Sequence, residues 1–204
     1  AQRDSAAVAA QSLPILLDEI RQLRALLDLA GRLPTRVISA EVLHQPVPTD
    51  GRTLLLSAGR RSGIVPFQAV VAPEGLLGVI LTAGPTTSIA LTWAHPDFRA
   101  SAVTLDGSVT GIVGVTADAS IREPMLELRG VPYRDSVATG TPVITSGLGG
   151  VYPRGLPIGT VVGVARQSEG GERVYLVRPA AAPARVSHAL IVPAGTVWAG
   201  QGQE

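Results

Sequence analysis

Few side chains in this sequence have the chemistry for catalysis, and their spacing decides what they can do. There are three histidines, His44, His95 and His188, with Asp50 and Asp97 near two of them, and Ser146 lies in a glycine-rich run. A Ser-His-Asp relay would need a serine nucleophile, a histidine base and a carboxylate to orient it. Serine proteases of that type hold the nucleophile in Gly-Asp-Ser-Gly-Gly. Here Ser146 is followed by Gly147-Leu148-Gly149-Gly150 but preceded by Ile144-Thr145, so the Gly-Asp is missing. A Gly-x-Ser-x-Gly elbow fails as well, because residue 144 is isoleucine. His44 and Asp50 flank a proline-rich turn, and His95-Pro96-Asp97 reads as a turn in which Asp97 bonds nearby backbone. No His-x-His, His-x-x-x-His or clustered carboxylates supply a metal site. No GxxxxGK[ST] loop is present, and SGLGG precedes a loop and strand rather than a helix, so a phosphate cradle is not built. The sequence therefore predicts no catalytic role for Ser146, His44, His95 or His188, and neither cofactor nor metal.

Composition points the same way. The chain has 204 residues, with 46% hydrophobic and only 16% charged, which makes it a folding sequence. Aromatics are 3%, so the core must be Val, Leu, Ile and Ala; Gly 23 and Pro 16 imply many turns and many short strands. A net charge of +1 gives no reason to expect nucleic acid. Cysteine is absent, so there is neither a disulfide frame nor a thiolate metal site. No run approaches the ~18 apolar residues of a membrane span.

The rest of the sequence reads as structural pattern. Leu13, Leu16, Ile20, Leu23, Leu27 and Ala30 follow a 3-4-3-4-3 spacing, a heptad seam over about two and a half heptads. Ser12 is the expected N-cap, with Pro14 in the first turn; Gly31 and Pro34 stop the helix. The seam serves either a short coiled coil between two copies or packing on the chain's own domain. Leu17, Leu26 and Leu29 widen the stripe in favour of the latter. After the helix, alternating β-branched stretches predict strands at 36–44, 52–58, 68–72, 76–82, 86–93, 99–105, 108–115, 125–129, 141–145, 156–165, 173–178 and 187–192. Residues 68–80 weakly repeat in 142–162, each as strand, turn, Gly-Leu-x-x-Gly or Leu-x-x-Gly-x-Val, then strand, which suggests two related small barrels.

The most specific stretch is Ser146–Val164, SGLGGVYPRGLPIGTVVGV. Its first half is a shaped loop carrying Ser146, Gly147, Gly149, Gly150, Pro153 and Gly155. Its second half, with Pro157 and Gly159, is a strand bent by glycine. This stretch resembles the signature of the MreC family of bacterial rod-shape-determining proteins. The resemblance covers most of residues 36–192 and is strongest at 146–161. It departs from the family at His95-Pro96, in a turn to which the family gives no catalysis. It implies a mainly β fold, with two six-stranded barrels like a chymotrypsin pair without an active site, preceded by a coiled-coil helix.

The expected domains are a helix over 5–33, a first barrel from 36–60 plus 134–193, a second barrel inserted at 61–131, and a loose tail at 194–204. Two barrels in series is the alternative. By the same resemblance the chain acts as a non-catalytic scaffold of peptidoglycan elongation. It would lie on the periplasmic face of the inner membrane, held by an N-terminal anchor preceding Ala1. It would form homodimers through Leu13, Leu16, Ile20, Leu23 and Leu27, and filaments through a second surface. The implied partners are penicillin-binding protein 2, RodA, MreD and MreB. The rival reading is a periplasmic adaptor of an efflux or secretion system, whose helical hairpin this sequence lacks.

Overall fold

The computed structural model of the chain describes residues 2–32, 36–43, 51–117, 123–168 and 171–193; at 2–13, 32, 167 and 168 only the backbone is described. Helix α1 (Gln2–Arg32) comes first. It is longer than the seam predicted and runs straight through Pro14, so the expected Ser12 cap and first-turn proline are corrected. A proline inside a helix lacks the N–H and crowds the carbonyl four residues back, at a cost of about 3 kcal/mol. The alanine-rich residues around positions 6–10 have the highest intrinsic helix preference and continue the helix past it. At 1.5 Å per residue the helix is about 46 Å long.

The strands are β1 (Ile38–Leu43), β2 (Thr53–Leu56), β3 (Ala69–Ala72), β4 (Gly75–Ala83), β5 (Ser88–Thr92), β6 (Ala100–Thr104), β7 (Thr110–Val115), β8 (Leu126–Pro132), β9 (Pro142–Thr145), β10 (Pro157–Ser168), β11 (Glu172–Pro179) and β12 (His188–Val192). They close into two antiparallel six-stranded barrels, ordered β1-β12-β3-β4-β5-β2 and β10-β11-β8-β7-β6-β9. Closure removes the exposed edges that short strands would otherwise present.

Strand pairing corrects the expected division. The first barrel is β1 to β5 plus β12, and the second, β6 to β11, lies between β5 and β12 in the chain. Residues 69–92 belong to the first barrel, not to an inserted one. Two tight reversals, at Pro73-Glu74 and at Gly84–Thr87, join β3, β4 and β5 as antiparallel neighbours, and β5 closes onto β2 in register Leu55↔Ile89. A strand count alone carries no partner information, so it could place six strands in each barrel but not say which. If β12 is counted as the first strand of its barrel, both barrels have the same order, 1-2-3-6-5-4. The repeated segments then fall on equivalent strands, β3–β4 in one barrel and β9–β10 in the other.

Burial follows strand alternation. Leu54 and Leu56 point inward, with Thr53 and Leu55 outward. β3 reads as an unbroken apolar run, AVVA, because both of its faces are covered. Val70 and Ala72 enter the first barrel's interior with Leu56, Leu77 and Ile191. Ala69 and Val71 join a second cluster shared with Leu26 and Leu29 of α1 and with Leu126, Leu156 and Val177 of the second barrel. The barrels are further joined at their two linkers. Trp93 Nε1–H donates to the Ala181 carbonyl at 2.9 Å, and Ala180 N–H donates to the Ile158 carbonyl at 2.9 Å.

Candidate functional site

Helix α1 presents two faces. In its last turns Leu26 and Leu29 are 5% and 7% exposed and pack on the barrels. The Ser187 hydroxyl donates to the Gln22 side-chain oxygen at 2.6 Å on the same side. The seam residues Leu16, Ile20, Leu23 and Leu27 are 51%, 43%, 39% and 72% exposed. At 3.6 residues per turn this row is turned roughly 120° away from Leu26 and Leu29. The two readings of the stripe therefore separate onto different faces: Leu26 and Leu29 hold the helix to its own chain, and the seam faces outward. Leu17, expected to widen the packed stripe, is exposed. The Leu13 side chain lies outside the described residues.

The glycine-rich loop joins β9 to β10 in the second barrel, and Thr145 ties both of its ends. The Thr145 hydroxyl donates to the Pro153 carbonyl and accepts from Leu156 N–H at 2.9 Å, while Thr145 carbonyl accepts from Gly155 N–H at 2.9 Å. Ser146 N–H reaches across to the Ser101 carbonyl at 2.9 Å. Gly147, with φ of 80°, needs glycine twice over, because a Cβ there would also sit 2.9 Å from the Arg154 Cβ. Gly149, Gly150 and Gly155 share the positive φ region. At Gly159 a Cβ would collide with the Arg178 carbonyl of β11.

Tyr152, 7% exposed, anchors the loop from beneath, its ring 6.0 Å from that of Phe98 at 58°. Burial pushes its phenol well above the ordinary tyrosine range. Pro153 is buried; Pro157, half-buried, lies at the barrel junction against Gly75. The loop and bent strand are thus framework of the second barrel and of its seam with the first.

Among the described residues Ser146, His95 and His188 share no hydrogen bond or ion pair with one another, and His95 Nδ1 lies 3.7 Å from Oδ2 of its near neighbour Asp97. Ser146 Oγ accepts from Leu148 N–H at 3.3 Å. His95 Nδ1 accepts from Asp97 N–H at 3.1 Å, in the linker between barrels. His188 opens β12 and lines a groove of about 590 Å³ beneath α1 with Asp18, Gln22, Glu74 and Arg185. His44, Asp50 and the 194–204 tail lie outside the described residues. Among the described residues no group of three His, Cys, Asp or Glu is placed to hold a metal ion, and no helix is long and apolar enough to cross a membrane.

Comparison with known proteins decides the family. The model described as "Rod shape-determining protein MreC, barrel core" matches residues 42–193. The chain belongs to the MreC family. The "Cell shape-determining protein MreC" of Listeria monocytogenes is 31% identical over 76% of this chain and 52% of the relative. The MreC of Haemophilus influenzae is 26% identical over 87% of this chain and 51% of its own. The chain spans about half the length of these curated MreC relatives. A solved MreC structure superposes with a TM-score of 0.77 at 26% identity, covering 87% of this chain and 99% of that one. The fold is also that of a chain in a "Complex between Penicillin-Binding Protein (PBP2) and MreC from Helicobacter pylori". That chain has a TM-score of 0.58 at 16% identity, covering 77% of this chain and 98% of the other.

Sequence reading missed three features of this chain's fold. Trp93 ties the two linkers, and its signal is that the chain has only two tryptophans. Glu127, with its side chain 2% exposed, is held by Arg129 at 2.6 Å, Arg166 at 3.3 Å and the Thr116 hydroxyl at 2.8 Å. It reads in sequence as one polar residue of an alternating strand. Gly75 looks like an ordinary turn glycine until its neighbour across the junction is known.

Proposed function

We propose that the chain is a non-catalytic, self-associating scaffold of bacterial cell elongation, working on the periplasmic side of the inner membrane from an N-terminal anchor. The observation that carries this reading is the exposed row Leu16, Ile20, Leu23 and Leu27 on a helix already held to the barrels by another face. Four large apolar side chains at coiled-coil spacing are costly in water, and pairing with a second copy buries them. Membership of a family whose curated relatives are named cell shape-determining supports the role in shape. The solved complex of a Helicobacter pylori relative with a penicillin-binding protein supports a cell-wall transpeptidase as partner.

The mechanism is binding rather than turnover: the scaffold holds the transpeptidase by favouring one of its conformations. The dimer brings two such enzymes together, and RodA, MreD and MreB complete the assembly. Filaments follow where a second surface repeats the pairing. The Leu13, Leu16, Ile20, Leu23, Leu27 seam is the dimer site. The loop from Ser146 to Gly159 is structural.

The test is in cells. A shape-defective strain lacking its own copy should regain rod shape with this protein, and crosslinking should recover the transpeptidase with it. Rescue equal to wild type by a variant that is monomeric in solution would overturn the self-association arm. Recovery of an outer-membrane channel in place of cell-wall synthases would overturn the partner arm.

A further inference from the structure

The first barrel carries an outward row of apolar side chains that neither the helix nor the second barrel covers. Leu43 pairs with Leu55, and Leu55 with Ile89; Ile89 lies opposite Thr82, beside the bulge at Leu81. Directly opposite residues on one face of a sheet stand about 5 Å apart, so these side chains form a band. Phe67 extends it: its N–H donates to the Ile80 carbonyl at 2.9 Å, placing it next to Leu81. Phe67, Leu81 and Ile89 are 66%, 50% and 39% exposed.

Phe67 is also the one non-glycine at positive φ among the described residues, at 68°. It is the second central residue of the Pro66-Phe67 turn, the place where a type II turn takes glycine. The Val65 N–H bond to Gln68 Oε1 at 3.1 Å and the Ile80 N–H bond to the Gln68 carbonyl at 2.9 Å hold the turn in that strained form. A strained backbone that carries its aromatic ring into water does nothing for the barrel's own packing. Strain held in place by its surroundings points to a function.

Charge says what covers the band. Arg60 and Arg61 border it at the β4–β5 turn: Arg60 N–H donates to the Gly84 carbonyl at 2.8 Å, Arg61 N–H to the Pro85 carbonyl at 3.0 Å, and the Arg60 guanidinium to the Ala83 carbonyl at 2.8 Å. Between Arg52 and Thr92 the sole carboxylate is Glu74, at the other end of β4 and roughly 25 Å away at 3.3 Å per residue. On β1 the exposed Glu41 shares the outward face of Leu43 opposite Ser57, so among the described residues two arginines stand against one carboxylate at this end of the band. Aromatic and arginine side chains together are the usual anchors of protein interfaces.

We propose that the Phe67, Leu81 and Ile89 band is a docking surface for another protein that presents an apolar segment flanked by Asp or Glu. The carboxylates meet Arg60 and Arg61, and the apolar side chains cover Phe67. This surface is separate from the helix seam and does not depend on dimer formation.

The test uses the full-length protein in its own cells, with the photo-reactive residue p-benzoylphenylalanine placed at position 89. Light should produce an adduct to a different protein, and mass spectrometry of the adduct should find an apolar peptide with Asp or Glu within a few residues. Phe67→Gly should cut the adduct at least tenfold while the purified variant melts at the wild-type temperature or higher, because glycine relieves the turn. The double change Arg60→Glu and Arg61→Glu should cut it to a similar extent. An adduct to lipid, to a second copy, or within the same chain would overturn the proposal. So would no adduct, or one indifferent to the charge reversal.

Discussion

A Cβ placed on Gly75 would run into the carbonyl oxygen of Pro157 and stand 3.2 Å from the Ala180 Cβ. These two residues start β4 and β10, equivalent strands of the two barrels, so the same corner of each barrel meets at the junction. Gly75→Val should therefore loosen the seam as well as strain a φ of 153°. The expected loss is about 1–3 kcal/mol, the usual range for a forced backbone position. Thermal unfolding measures it; a melting temperature equal to wild type would remove Gly75 as a junction determinant.

The two helix faces make opposite predictions. Ile20→Asp together with Leu23→Asp should give a monomer by sedimentation, with unchanged β-sheet circular dichroism. Leu26→Ala should leave the oligomeric state alone but lower stability by about 2–5 kcal/mol, since Leu26 is 5% exposed. A wild type that is monomeric at every concentration, or an unchanged dimer in the double variant, would refute the seam.

Within the glycine-rich loop, rank is the test. Gly147→Val should cost more than Gly149→Val: both sit at positive φ, but only Gly147 has a side chain in the way, at 2.9 Å. Gly149 has nothing within 4 Å of the added Cβ and should lose only the strain energy, about 1–3 kcal/mol. The reverse order in melting experiments would contradict the geometry. Thr145→Val should also destabilise, by about 1–3 kcal/mol, because the buried Leu156 N–H loses its partner.

Glu127 is a buried charge whose loss strands Arg129 next to apolar strands. Glu127→Ala should cost about 3 kcal/mol, the low end for breaking a buried pair, because both arginines keep some contact with water. Chemical denaturation would measure it, and a change below the scatter of surface variants would count against the cluster.

Tyr152 makes stability depend on alkaline pH. Burial holds its phenol above the unfolded-state value of about 10, so the neutral form is favoured in the fold. Its contribution is complete below about pH 10 and is lost as pH rises through the folded value. Wild type should thus lose melting temperature above that pH, and Tyr152→Phe should lose less. Parallel curves for the two proteins would show that the phenol is not what titrates.

The order of strands was legible because each has its own local mark: alternation in β1, a β-branched run in β9–β10, glycine and proline between them. What escaped was pairing at a distance. Nothing local in Ala69–Ala72 says that its neighbour is β12, more than a hundred residues later, so the boundary between barrels was placed wrongly. The helix seam was readable from spacing, but its separation from Leu26 and Leu29 needed the barrel surface. Phe67 and Gly75 were invisible for a similar reason: a conformation forced on one residue by hydrogen bonds from other segments leaves no periodic trace.

Because β12 completes the first barrel from the far side of the second, the order of synthesis matters. β6 to β11 are contiguous and can close as soon as Pro179 is available, whereas β1 and β3 wait for Ala189, Leu190 and Ile191. Until then the first barrel is a five-stranded open sheet with two unpaired edges, each a template for another chain. In the order of synthesis the last strand to become available is thus the five-residue β12, which follows the whole of the second barrel and completes the first.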